Sequence, residues 1–248
     1  MLVKQAANVI EILEYFMQRK RPATLSEISD DLGWPRSSTF NIVGTLTDLG
    51  YLYEPISRKG YYPSQRWLTV AQALANAEPL PESLLALVSE VAKETNETTA
   101  ICASTGKHAV LIHVEECEQS IRYSAKVGSR VPIHASSAGR ATLIQYTLDE
   151  RMAIYRKIDF ENYTDTTPMS IETVEEELRN ARERGYHQSN AEYIPDLVGV
   201  AIPVPLPHRR LSIVVAGPAS RCAQQRPAIA KILLRGVKDF QVMGADEK

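Results

Sequence analysis

Cysteine is scarce in this chain. The 248 residues include three cysteines, Cys102, Cys117 and Cys222, an odd number at wide spacing. A protein stapled by disulfides needs paired cysteines, and such bonds persist mainly in oxidising compartments. The sequence therefore argues against a disulfide framework and fits a reducing compartment, where the three thiols are expected to be buried or idle.

Long apolar runs are also missing. No stretch reaches the ~18 consecutive apolar residues that a membrane-spanning helix needs. The opening segment MLVKQAANVIEILEYF contains Glu11 and Glu14, and it lacks both the apolar core and the small-residue cleavage site of a secretory signal. We therefore expect a cytoplasmic protein that has no membrane partner.

A strong excess of basic residues, which by itself would indicate nucleic-acid binding, is absent too. The formal net charge is −2, with eight Lys and Arg against seven Asp and Glu in residues 1–77. Residues 78–248 carry 20 basic against 23 acidic side chains. Charge decides little here, so a case for DNA binding has to rest on the pattern of residues.

The first third of the chain has the pattern of a helix-turn-helix. Apolar residues at helical spacing over 6–17 predict a first helix, which the basic run 19–21 and Pro22 end. Thr24 and Glu27 form a capping box at the start of a short second helix. Residues 33–35, Gly-Trp-Pro, then predict a tight turn into a third helix, and this succession is the helix-turn-helix arrangement.

The third helix, predicted from about Pro35 to Leu49, would bury Phe40, Val43, Leu46 and Leu49. In this motif the start of the helix enters the major groove, where Arg pairs with guanine and Asn with adenine. The predicted groove-facing residues are Arg36, Ser37, Ser38, Thr39 and Asn41. The alternative is a helical module without DNA contacts, since hydroxyl residues at a helix start are also common caps.

Residues 51–62 predict a two-stranded hairpin, the wing of a winged helix-turn-helix. Its turn carries Arg58 and Lys59, two cations suited to phosphate or minor-groove contacts. We therefore assign residues 1–63 to a DNA-binding domain.

Residues 64–80 predict a linker helix, and residues 81–248 predict a second domain. The predicted helices of this domain cover 81–96, 137–146, 149–157, 171–184 and 224–242. The predicted strands cover 98–104, 108–115, 120–125, 186–189, 199–205 and 211–217. A mainly antiparallel sheet flanked by helices is an α+β fold that can enclose a ligand pocket.

One loop of the second domain, residues 125–136, leads into a helix that begins with hydroxyl residues. The free N–H groups there would favour an anion such as a carboxylate near Ser136 and Ser137, close to His134. The alternative is that a serine only caps the helix and that His134 is a structural residue. The segment alone leaves both interpretations open.

Two stretches of the sequence resemble the isocitrate lyase regulator (IclR) family of bacterial transcription regulators, and the resemblance runs nearly end to end. Residues 33–39, GWPRSST, continuing to 49–51, LGY, resemble the family's recognition helix and the start of its wing. Residues 131–141, VPIHASSAGRA, resemble the loop and helix of its effector domain. The C-terminal strands resemble the family at 184–186, Glu192, 201–204 and 216–221.

The resemblance implies a transcription regulator, repressor or activator, that binds palindromic operator DNA as a homodimer or homotetramer. It also implies that a small metabolite, commonly an organic or aromatic acid, controls DNA binding. The implied pocket-lining positions are Ser137, Ala138, Ser189, Leu197, Gly199, Val214 and Ala216. No catalytic residue, metal or cofactor is expected.

The sequence departs from the common family pattern at both sites. Phe40 and Asn41 stand where His and Arg are frequent, so an operator sequence cannot be transferred. In the pocket, Ser189 and Gly199 stand where an acidic residue and a Cys are common. Val214 and Ala216 stand where glyoxylate-responsive members have serines, and the pocket should therefore be roomier and less polar.

These departures predict an effector with an apolar or aromatic body and one carboxylate. The loop around Ser136 and Ser137 would hold the carboxylate, with help from Arg130 or Arg122.

Two other classes of protein fit parts of the sequence. A hydrolase could use Ser136 or Ser137 beside His134, but the chain has no Gly-x-Ser-x-Gly elbow there and no orienting acid is indicated. A zinc protein could draw on Cys102, His108, His113 and Cys117, although strand alternation does not put all four on one face. In either case the N-terminal helices would not bind DNA.

Overall fold

The structure is a computed structural model that describes residues 3–56, 59–77 and 79–246. The chain divides into two compact units, Met1–Pro79 and Leu80–Lys248. The architecture confirms the predicted α+β class, a helix-turn-helix unit followed by an antiparallel sheet with helices on its faces. Within the described ranges, none of the helices holds an apolar stretch long enough to cross a membrane.

Among its described residues, the first unit contains four helices and a small hairpin. They are α1 (Lys4–Arg19), α2 (Leu25–Leu32), α3 (Arg36–Asp48), β1 (Leu52–Tyr53), β2 (Tyr62–Pro63) and α4 (Arg66–Ala77). Their shared core is built around Ile12, Phe16, Ile28, Val43 and Leu46. Burial of these side chains from α1, α2 and α3 fixes the three helices against one another.

Local signals in the sequence set the helix ends of this unit. The capping box is confirmed, since Thr24 Oγ1 accepts from the Glu27 N–H and the Glu27 side chain accepts from the Thr24 N–H. Gly33 ends α2 in the left-handed conformation, at φ 64°. Gly60 supports the hairpin, because a Cβ there would lie 2.6 Å from the Ala23 carbonyl carbon. The wing strand can therefore lie directly against the segment before α2.

In residues 80–246, the second unit holds a six-stranded sheet and six helices. In chain order they are α5 (Glu82–Thr95), β3 (Thr98–Thr105), β4 (His108–Glu115), β5 (Arg130–Pro132), α6 (Ser137–Leu143), α7 (Leu148–Tyr155), α8 (Ile171–Arg184), β6 (His187–Asn190), β7 (Leu197–Leu206), β8 (Arg209–Pro218), α9 (Ala219–Cys222) and α10 (Arg226–Asp246). The strand order is β5-β4-β3-β8-β7-β6, and every pair is antiparallel.

The two faces of the sheet are covered differently. Large aliphatic residues of α5 and α10, such as Val88 and Leu233, pack against one face. The short helix α6 packs against the other with small residues, Ala138 and Ala141. Small side chains leave space between α6 and the strands, and that space becomes the cavity described below.

The predicted strand at residues 120–125 is wrong. The carboxylate of Glu116 instead accepts hydrogen bonds from Arg122, from Ser124 and from the N–H of Ala125, which folds this segment into a loop. The edge position beside β4 belongs to β5, residues 130–132. The side chain–backbone bonds of the loop thus compete successfully with strand pairing.

Candidate functional site

The turn between α2 and α3 holds the two helices in a fixed relation. The Ser29 hydroxyl donates to the carbonyl of Trp34 at 2.8 Å, and the Trp34 N–H donates back to the Ser29 carbonyl at 2.9 Å. Trp34 itself is buried in the core of the unit. These two hydrogen bonds and the burial of Trp34 hold the turn against α2, and α3 begins directly after it.

Four of the five predicted groove-facing residues reach the surface of α3. Arg36, Ser37 and Asn41 are exposed, and Ser38 is half-buried. Thr39 is the exception, because it is completely buried and its hydroxyl donates to the Pro35 carbonyl at 3.2 Å. The assignment of Thr39 to the groove face is therefore wrong.

The buried face of α3 differs from the predicted one in the same way. Val43 and Leu46 are buried as expected, but Phe40 is 64% exposed and Leu49 is 54% exposed. Thr39 takes the core position that Phe40 was predicted to fill. Phe40 consequently stands on the outer surface, next to Asn41.

The predicted wing is present as the antiparallel pair β1–β2, with Leu52 opposite Pro63 and Tyr53 opposite Tyr62. Lys59 is exposed in the connection between these strands. Arg58 lies outside the described residues.

The second unit contains a cavity between α6 and the sheet, which we call the α6 cavity. Its lining consists of Cys102, Leu111, Tyr123, Val131, Ala135, Ser136, Ser137, Ala138, Ser189, Glu192, Tyr193, Ile194, Leu197, Gly199, Val214 and Ala216. Eight of the eleven predicted effector residues are in this set, namely Ser136, Ser137, Ala138, Ser189, Leu197, Gly199, Val214 and Ala216. About 50 Å³ of the α6 cavity is open to a water molecule.

Gly199 permits the close approach of two hydroxyl groups inside the α6 cavity. A Cβ at this position would clash with Ser137 Oγ and would lie 2.9 Å from Ser189 Oγ. Ser189 faces Gly199 across the β6–β7 pair, and Ser137 comes from the first turn of α6. The missing side chain thus brings helix and sheet together at the polar part of the cavity.

One charged residue, Glu192, lines the α6 cavity, and it is neutralised by Arg140. The guanidinium of Arg140 is completely buried and donates to both carboxylate oxygens, at 2.6 and 3.0 Å. It also donates to the carbonyls of His134 and Gln188. A ligand in the cavity therefore meets hydroxyl groups and apolar side chains rather than an unpaired charge.

Three predicted effector residues lie away from the cavity lining. Arg122 pairs with Glu116 at 3.0 Å on the loop 116–125, and Arg130 is exposed on the edge strand β5. His134 is buried behind the lining, with its ring 5.1 Å from that of Phe160. Burial lowers the pKa of His134 to about 4, so its ring is neutral near pH 7.

Sequence reasoning missed two aromatic residues of the lining, Tyr123 and Tyr193. Burial raises the pKa of Tyr123 to about 12, which keeps its hydroxyl protonated as a hydrogen-bond donor. Tyr193 stacks edge-on against Tyr163 at 5.0 Å. Both tyrosines come from loops, where neither helical nor strand periodicity signals which way a side chain points.

Ser136, two residues after His134, caps the start of α6. Ser136 Oγ accepts from the Gly139 N–H at 3.1 Å and donates to the Pro132 carbonyl at 2.7 Å. In the described part of the chain, no hydrogen bond joins His134 to Ser136 or Ser137, and no group of three or more His, Cys, Asp or Glu side chains is placed to hold a metal ion. Ser136 thus acts as the helix cap that the sequence offered as one alternative.

Two sequence families match the chain. The family described as "Bacterial transcriptional regulator IclR C-terminal" matches residues 72–241, and "IclR helix-turn-helix domain" matches residues 5–55. The first match contains the α6 cavity, and the second contains α1, α2 and α3.

Several known proteins to which this chain is similar are bacterial regulators. The HTH-type transcriptional repressor AllR of Escherichia coli K12 is 29% identical over 227 residues, which cover 88% of this chain and 81% of AllR. The crystal structure of IclR from Thermotoga maritima has a TM-score of 0.75 at 18% identity, over 95% of this chain and 96% of that one. An IclR homologue from Microbacterium hydrocarbonoxydans, solved with 4-hydroxybenzoate, has a TM-score of 0.72 at 20% identity, over 94% and 95% of the two chains.

Proposed function

Because the chain belongs to the IclR family of bacterial transcriptional regulators, we propose that a small organic acid in the α6 cavity controls its binding to operator DNA. The observation that carries the proposal is the chemistry of the lining. Apolar walls from Leu111, Val131, Leu197 and Val214 surround a few hydroxyl groups. Ligand pockets commonly combine these two features, since the walls bind the body of a ligand and the polar groups orient it.

On the DNA side, we propose that α3 enters the major groove. Arg36 and Asn41 carry the side chains that read guanine and adenine, and Ser37 and Ser38 are small enough to let the helix approach closely. Lys59 in the wing is placed for a phosphate, a contact that adds affinity without selecting a sequence. A homodimer or homotetramer would read two half-sites about one helical turn apart.

The effector is proposed to have an aromatic or apolar body and one carboxylate. The IclR homologue solved with 4-hydroxybenzoate, an acid of this kind, supports this class of ligand. The two arginines predicted to help hold the carboxylate lie outside the cavity lining, so this role passes to the hydroxyl and N–H groups near Ser137. Small dicarboxylates would leave a second charge without a cation among the apolar walls.

The α6 cavity is small, so binding of an aromatic acid requires a conformational change of the protein. Only about 50 Å³ is open to water, whereas pockets for organic ligands hold roughly 300–1,000 Å³. An aromatic acid can enter only if lining segments move. Three parts of the lining lie outside helices and strands, namely Tyr123, Ala135 with Ser136, and the loop from Glu192 to Ile194. A ligand that binds one arrangement better than the other shifts the population between them.

Thermal unfolding of the full chain with two panels of acids tests the effector class. We expect aromatic monocarboxylates to raise Tm in a concentration-dependent way, because a ligand that binds only the folded state stabilises it. Stabilisation by small dicarboxylates or sugar acids alone would contradict the proposed class. An acid that stabilises the wild-type chain should fail with Val214→Asp, which puts an unpaired carboxylate into the cavity.

A further inference from the structure

The side chain of Phe40 is the most exposed apolar group on α3. It is 64% exposed, although it lies in the first half of a helix whose opposite face builds the core of the unit. Thr39, Val43 and Leu46 fill that core face, and Phe40 is not part of the core. A phenyl ring left in water forgoes the stabilisation that burial would give it.

We propose that Phe40 is a specificity-determining residue that contacts the 5-methyl group of a thymine in the major groove. The inference rests on the proposed operator binding through α3 and adds a base preference to it. Thymine presents a methyl group at the floor of this groove where cytosine presents a hydrogen atom, and apolar side chains recognise that methyl. Phenylalanine has no donor or acceptor, so its contact selects thymine by shape and apolar burial alone.

The surface next to Phe40 is shaped for a close approach. Gly44 lies one helical turn further along the same side of α3, and a Cβ there would meet nothing within 4 Å. Glycine inside a helix lowers helix stability by roughly 1 kcal/mol relative to alanine. At position 44 this loss is accompanied by open space on the surface of α3. The phenyl ring therefore stands one helical turn from open space at Gly44, which leaves room for the edge of a base pair to approach.

The polar neighbours of Phe40 favour DNA over a second protein as its partner. Arg36 lies one turn before it, and Ser37 and Asn41 share the exposed side of the helix. Protein interfaces need contiguous apolar area, whereas this surface has one ring among hydroxyl, amide and guanidinium groups. Asn41 is suited to adenine, so the pair Phe40 and Asn41 predicts thymine and adenine at nearby positions of each half-site.

The test removes single methyl groups from the DNA. Binding sites are first selected from a random duplex library with the full wild-type chain. Each thymine of the selected half-site is then replaced by uracil, and affinities are measured by fluorescence anisotropy for wild type, Phe40→Ala and Asn41→Ala. We expect one uracil position to weaken wild-type binding about fourfold, the worth of one buried methyl group. The same replacement should have no effect on Phe40→Ala and should keep its effect on Asn41→Ala.

Several results would overturn the inference. Tolerance of uracil at every position, or an equal loss for Phe40→Ala, would show that Phe40 does not read a methyl group. A change in sedimentation of Phe40→Ala without a change in thymine preference would assign the ring to a contact between proteins. Failure to enrich any sequence would instead contradict operator binding itself. An unchanged Tm of Phe40→Ala, as its exposure predicts, serves as the folding control.

Discussion

Arg140 and Glu192 form a bidentate ion pair beside the α6 cavity, with N–O distances of 2.6 and 3.0 Å. The guanidinium is completely buried and also donates to the carbonyls of His134 and Gln188. One side chain thus connects α6, the loop before it and the β6–β7 segment. Breaking such a pair leaves an uncompensated charge in the interior. Its loss therefore costs more folding stability than the loss of an exposed ion pair.

Removal of Glu192 should therefore destabilise the second unit strongly. We expect Glu192→Ala to lower the free energy of unfolding by about 3–5 kcal/mol, and Glu192→Gln by less, because the amide still accepts a hydrogen bond. Asp159→Ala is the matched control, since it breaks the exposed pair with Lys107 and should cost less than about 1 kcal/mol. Denaturant unfolding measures all three variants. Equal losses for Glu192→Ala and Asp159→Ala would contradict this account of the buried pair.

Gly199 should control access to the α6 cavity. A methyl group at this position clashes with Ser137 Oγ, so Gly199→Ala should weaken binding of a stabilising acid by about tenfold or more while the chain stays folded. The double variant Gly199→Ala/Ser137→Ala removes the clashing oxygen and should recover part of the affinity. Calorimetric titration measures both. An undiminished affinity in Gly199→Ala would place the ligand elsewhere.

Neighbouring residues of α3 should behave differently in DNA binding. Asn41 is exposed and Thr39 is buried, so Asn41→Ala should reduce discrimination between operator and altered bases by about 1–3 kcal/mol. Thr39→Val keeps the shape of the side chain and should leave base preference unchanged, although it loses the bond to the Pro35 carbonyl. Competition binding with base-substituted duplexes decides the matter. A change of base preference in Thr39→Val would show that a different face of α3 contacts the DNA.

Buried His187 should make the folded state sensitive to acid. Burial and the nearby Arg140 lower its pKa to about 3, whereas an unfolded chain titrates near the ordinary value of about 6.5. Between these values the unfolded state binds more protons, so stability falls as the pH drops below about 6.5. The loss from pH 7 to pH 5 should be about 2 kcal/mol for this group.

His187→Leu tests the pH dependence directly. The variant should lose about 2 kcal/mol less stability than the wild type between pH 7 and pH 5, as measured by urea unfolding at both values. An identical pH dependence in the two proteins would mean that another group is responsible.

The sequence predicted the parts of the fold that depend on local signals. The capping box at Thr24 and Glu27 and the end of α2 at the turn that begins with Gly33 are as predicted, because each feature is decided by residues close in the chain. The strands β3, β4, β7 and β8 were predicted close to their observed bounds for the same reason. What failed was the rotation of α3, where hydrophobicity favours burial of Phe40 over Thr39. Thr39 can be buried because its hydroxyl is satisfied by the Pro35 carbonyl, which the sequence does not reveal.

The candidate site was predictable to a similar degree. Residues on regular elements of the lining, such as Gly199 and Val214, followed from the family resemblance and are found at the cavity. The loop residues Tyr123 and Tyr193 were not foreseen, since long-range packing decides where a loop side chain points. The prediction for Arg122 was wrong because this residue pairs with Glu116 on the surface loop. Sequence spacing alone does not show whether an arginine pairs with such a neighbour or with the carboxylate of a ligand.

The central claim is that a small acid in the α6 cavity controls operator binding. The most direct measurement is a mobility-shift titration of the full chain against DNA upstream of its own gene and its neighbours, with and without a panel of aromatic and aliphatic acids. We predict a specific shift that one class of acids alters, and we predict that Gly199→Ala makes the same shift but needs at least about tenfold more acid to alter it. A specific shift that no acid changes, or that responds equally in Gly199→Ala, would contradict the claim.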